Sequence, residues 1–171
     1  MQATVHLVHP ISDDDLVRFS RENPGWCVER DGTGSLLMSP TFAAGGAKNA
    51  ELTWQLVSYA KRHGGVAFDS NAGFTLPDGS VFSPDGSWIS DERWAKLTKE
   101  ERESYTPIVP DVWIELRSET DRVIQLKAKL EVVRSFGAAF VLLIDPCERT
   151  TWSQGHAPPE FALDLAAIYD A

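Results

Sequence analysis

Residues 111–145 constrain this chain more than any other stretch, because they spell out a strand, a helix and a second strand in succession. DVWIELR (111–117) alternates strictly, sending Val112, Ile114 and Leu116 to one side and Asp111, Trp113, Glu115 and Arg117 to the other. Residues 121–136 place Val123, Leu126, Leu130 and Val133 at helical spacing along one stripe. AAFVLLID (138–145) is a nearly continuous apolar run, as a strand covered on both faces would be, and Pro146 closes it. A strand–helix–strand connection of this length joins parallel neighbours through a right-handed crossover. The pattern therefore predicts an α/β chain in which strand 111–117 is central.

The remaining elements are shorter. Ser12 is placed to cap a helix that carries Asp13, Asp14 and Asp15 in its first turn and must stop before Pro24. WCVER (26–30) and SLLMS (35–39) read as a hairpin across Asp31-Gly32-Thr33-Gly34. A long helix over 43–63 sets Leu52, Leu56, Tyr59 and His63 on one face and ends at Gly64-Gly65. VAFD (66–69), GFTLP (73–77) and VFSPDGSWIS (81–90) read as strands, with a hairpin turn at Asp78-Gly79. DERWAKLTKEERES (91–104) alternates charge as an exposed helical excursion does. A length of 171 residues is that of one domain. The expectation is a single domain over 1–171: a mixed, mainly antiparallel central sheet flanked by helices, with an N-terminal helix and hairpin.

Composition narrows the function classes. No run of about 18 apolar residues occurs, which excludes a membrane-spanning helix. The first residues, MQATVHLVHPISDDD, lack the basic start and apolar stretch of a signal peptide. Two widely spaced cysteines, Cys27 and Cys147, suit a reducing cytoplasm rather than a disulfide framework. The formal net charge of −9 argues against tight non-specific binding to nucleic acid. Locally the balance reverses: residues 117–134 carry Arg117, Arg122, Lys127, Lys129 and Arg134 against three acids.

Charged side chains on the face of a central strand need a reason. Glu115 and Arg117 leave the same face about 7 Å apart, and Trp113 beside them implies that this face is covered. Buried charges must be paired or ligate a metal. Asp111 shares the strand and the face but lies about 13 Å from Glu115, too far to share an ion. Asp85 can approach if the strand before it pairs with 111–117.

At this point the sequence resembles a known family. FSPDGSWIS, PDVWIELRS and QLKAKLEVVRSFGAAFVLLIDP, preceded by GFTLPDGSVFSPD and the helix at 43–63, are similar to successive blocks of the Uma-two family of restriction-endonuclease-like domains. That family falls within the PD-(D/E)XK nuclease superfamily, and the resemblance covers roughly residues 35–150. It implies a restriction-endonuclease-like core and an endonuclease that hydrolyses DNA with Mg²⁺ or Mn²⁺. Asp85 and Glu115 match the metal ligands. Arg117 stands where the usual lysine would be, and the family's helix-borne lysine matches Lys129. Glu51 corresponds approximately to an acidic position on the early helix, so Glu51 and Arg117 are accessory candidates. The implied partner is DNA, with a homodimer compatible with that activity.

Each assignment has a plainer alternative. Asp85 lies in a second PDGS like Asp78 and reads equally as a turn aspartate, Glu115 as a strand carboxylate paired with Arg117, and Lys129 as a snorkelling lysine at the edge of its helix stripe. Gly86 after Asp85 loosens the strand. The short segment after TTWSQ leaves one sheet edge undefined. Two other functions stay open: a catalytically decayed nuclease fold that only binds, and a glycosidase using a carboxylate pair.

Overall fold

The computed structural model describes residues 3–40 and 43–171. These form ten strands and six helices. They are β1 (Ala3–Val5), α1 (Asp13–Glu22), β2 (Trp26–Arg30), β3 (Leu36–Pro40), α2 (Ala43–His63), β4 (Val66–Phe68), β5 (Phe74–Thr75) and β6 (Val81–Phe82). There follow β7 (Gly86–Ile89), α3 (Asp91–Trp94), α4 (Lys99–Arg102), β8 (Val112–Leu116), α5 (Val123–Ser135), β9 (Phe140–Asp145), β10 (Thr150–Gly155) and α6 (Leu165–Asp170). No helix among the described residues is long and apolar enough to cross a membrane.

The strand–helix–strand unit sits at the centre, as its pattern requires. One five-stranded sheet has the order β10-β9-β8-β7-β4, and β8 and β9 are its parallel pair. Both faces of β8 are covered. Val112 and Ile114 are fully buried against Leu52 and Leu56 of α2 and Ile168 of α6. On the opposite face Trp113 packs with Leu130 and Val133 of α5 and with Val141 and Leu143 of β9. The apolar run of β9 thus meets helices on both sides.

The expectation of one central sheet needs correction. A second five-stranded sheet, in the order β1-β3-β2-β6-β5, takes in the N-terminal hairpin. The segment 81–90 is not one strand either. β6 belongs to the second sheet and β7 to the first, and the chain crosses between them at Ser83-Pro84-Asp85. Pro84 explains the break, since it has no N–H to donate to a ladder. Phe74, Leu76 and Phe82 of the second sheet share one core cluster with Trp113 and Leu130, which fastens the two sheets together.

Other local readings hold or shift slightly. Ser12 caps α1 by accepting from the Asp15 N–H at 3.1 Å, and Asp78-Gly79 turns the β5–β6 hairpin. His63 is exposed rather than part of the α2 inner face, although its ring stacks on Tyr59. TTWSQG forms β10, which pairs only with β9 among the described residues and closes that side of the first sheet as an exposed edge.

Candidate functional site

The crossover between the sheets builds the most highly charged interior region of the molecule. Glu115 lies on β8 and is 6% exposed. Its Oε1 accepts from Trp113 Nε1 at 2.8 Å and from the Lys129 ammonium at 2.9 Å. The tryptophan two residues away is therefore both the cover and a hydrogen-bond donor. Lys129 reaches in from α5, and its Nζ also lies 3.2 Å from Glu29 Oε1 and 4.6 Å from the centre of the Phe82 ring. Asp85 precedes β7 directly. Its Oδ2 accepts from the Leu116 N–H at 2.7 Å, and its Oδ1 from Asn49 Nδ2 of α2 at 3.1 Å. The aspartate is thus tied to the main chain next to Glu115.

Burial and like charge act together here. Burial, and then the charge of Glu115, lift the Asp85 carboxyl from 3.8 to about 7, against the pull of the Leu116 N–H, Lys129 and Asn49. Burial likewise pushes the Glu115 carboxyl up, against Lys129. Burial works against the Lys129 charge, but Glu115 and Glu29 outweigh it and hold the ammonium above its ordinary range. The half-buried Cys27 thiol is pushed up to about 12 by burial and by Glu29, so it stays neutral beside the cluster. Asp85 and Glu115 are the pair whose hard oxygens could hold a divalent cation. Among the described residues no third carboxylate, histidine or cysteine completes an all-protein cage.

Residues 13–155 match the Uma2 family, described as "putative restriction endonuclease". The chain belongs to this family. Its fold is also that of a crystal structure of a "putative nuclease" of the DUF820 group from Anabaena variabilis. The two share 18% sequence identity with a TM-score of 0.69, over 94% of this chain and 98% of that one. No curated protein matches the chain.

Within this Uma2 chain the residues singled out from the sequence separate into two groups. Glu115 and Lys129 are in contact, and Asp85 is hydrogen-bonded to the main chain of Leu116, the residue after Glu115. Arg117 does not join them: its guanidinium donates to Asp145 at 2.8 Å, so the pairing of Glu115 with Arg117 is replaced by Glu115 with Lys129. Glu51 accepts from Gln55 at 2.8 Å, and the α2 residue that touches Asp85 is Asn49. Two positions apart on a helix is about 200° of rotation, so Asn49 and Glu51 cannot share a direction. Gly86 opens β7 to α2. A Cβ there would lie 2.7 Å from Leu56 Cδ1 and 2.9 Å from Leu52 Cδ2, so its absence lets α2 lie directly on β7. Glu29 and Asn49 escaped the sequence reading. Glu29 lacked the signal applied to Glu115, because Trp26 lies three residues away and so on the opposite face of the strand.

Proposed function

We infer that this chain is a metal-dependent endonuclease that hydrolyses DNA phosphodiester bonds on a restriction-endonuclease-like core, at Asp85, Glu115 and Lys129. The observation that carries this reading is the meeting of two desolvated carboxylates and a lysine at the sheet crossover, in a chain of the Uma2 family. Two adjacent carboxylates that are each driven toward the neutral acid form an arrangement that a cation relieves.

The residues present suit Mg²⁺ or Mn²⁺. Mg²⁺ is commonly held through one or two carboxylates and keeps several waters, which fits a site with two carboxylates and no closed cage. Only Oε1 of Glu115 is hydrogen-bonded among the described residues, which leaves Oε2 for an ion. Bound there, the cation would supply a Lewis acid for the phosphodiester and lower the pKa of a coordinated water. The protein's own part is positioning. Leu116 N–H and Asn49 orient Asp85, and Trp113 orients Glu115. Glu115 and Glu29 favour the charged form of Lys129, which suits it to donate hydrogen bonds to the phosphate or the attacking water.

The glycosidase reading needs two carboxyls facing an open cleft, whereas here Glu115 is buried under Trp113 and paired with Lys129. Cleavage assays on plasmid and single-stranded DNA with Mn²⁺ test the nuclease reading. Wild type should nick DNA, while Glu115→Ala and Lys129→Ala should each lose about 100-fold or more in rate. No metal-dependent cleavage of either substrate by wild type would overturn it in favour of a decayed, binding-only fold.

A further inference from the structure

Lys129 is held by two carboxylates, Glu115 of β8 and Glu29 of β2, and the Phe82 ring is within cation–π reach. Glu29 is itself fixed. It is 7% exposed on β2, and its Oε1 accepts from the Ser83 N–H at 2.8 Å in the segment that leads to Asp85. A buried carboxylate is costly unless paired, and the cationic partner of Glu29 among the described residues is Lys129.

The two carboxylates that grip Lys129 differ in duty. Under the nuclease reading Glu115 must also serve a cation, while Glu29 has no such second task. Glu115 alone would hold the lysine less firmly once its carboxylate also served a cation at Oε2, because that ion draws on the charge that binds the ammonium. A second anchor, on β2, removes that dependence. We propose that Glu29 is a positioning residue that keeps the Lys129 ammonium beside the Asp85–Glu115 pair whatever Glu115 binds. Its consequence for catalysis rests on the nuclease reading, but its hold on the lysine does not. The N-terminal sheet thereby supplies a working part of the site rather than a flank.

The test uses the full chain labelled with ¹⁵N-lysine. The ¹H–¹⁵N signal of the Lys129 ammonium is followed in wild type, Glu29→Gln and Glu29→Ala, first without metal and then with Mg²⁺. Glu29→Gln keeps an acceptor for the Ser83 N–H and so guards against simple misfolding. In wild type the signal should persist as Mg²⁺ is added. In both variants it should shift without metal and broaden or vanish with Mg²⁺. In DNA cleavage, Glu29→Gln should lower kcat by about tenfold with KM within about threefold, as for a group that acts on a catalytic partner rather than on binding. A Lys129 signal unmoved in both variants would overturn the proposal, and wild-type cleavage would then show separately whether the nuclease reading survives. If wild type takes no Mg²⁺ and cuts nothing while the signal still moves, the nuclease reading fails and the hold of Glu29 on Lys129 stands.

Discussion

At the scale of single residues, Asp85 carries the clearest cost of the site. Its carboxyl titrates at about 7 in the folded chain and near 3.8 when unfolded, so the folded state binds the proton more tightly. The stability this contributes is complete below about pH 4 and is lost as pH rises through about 7. Asp85→Asn cannot ionise, and its amide oxygen can still accept from the Leu116 N–H. In chelator, thermal melts should show Asp85→Asn more stable than wild type at pH 8, on the order of 1–3 kcal/mol, with the gap narrower at pH 5 and closed only below about pH 4. A variant equal to or weaker than wild type at both pH values would contradict the origin given for the shift. Glu115 was legible in the sequence because it interrupts an apolar strand beside Trp113, whereas Lys129 was reached through the family resemblance, since its place at the rim of a helix stripe suits a snorkelling lysine as well. Asn49 was not, since a neutral amide on a helix surface carries no pattern; only the fold shows that its helix crosses the Asp85 turn.

At the scale of elements, the contact between α2 and β7 sets where Asp85 sits. Gly86 lets Leu52 and Leu56 approach the strand, and Asn49 on the same helix then reaches Asp85. Gly86→Ala would force the helix outward. The expected loss is about 1–3 kcal/mol by chemical denaturation, the range of an overpacked core, with DNA cleavage falling more than stability alone accounts for. Unchanged stability would show that α2 is not seated as described. The elements themselves were mostly readable, because α2 and α5 space their apolar residues helically, β8 alternates strictly and β9 is an apolar run. The division of 81–90 between two sheets was not, since VF and GSWI are both good strand sequences and only their partners distinguish them. The second sheet was hidden because its strands are two to five residues long and the pairings that join its two local hairpins and β1, namely β1–β3 and β2–β6, link segments far apart in sequence.

At the scale of the whole molecule, the charge of −9 has to be reconciled with the polyanionic substrate that the proposed function requires. The basic stretch at 117–134 does less than its composition suggested, because Arg117 is paired with Asp145 and Lys129 with two glutamates. Long-range attraction to DNA is therefore weak, and a divalent cation at the carboxylate pair is the one addition that changes the local sign. Calorimetric titration of Mn²⁺ into the wild-type protein and into Glu115→Ala measures that directly. We expect wild type to bind one ion, and Glu115→Ala to bind at least about tenfold more weakly, for the loss of one of two carboxylate ligands. Equal affinity in the two proteins would contradict the assignment of Asp85 and Glu115 as the metal-binding pair.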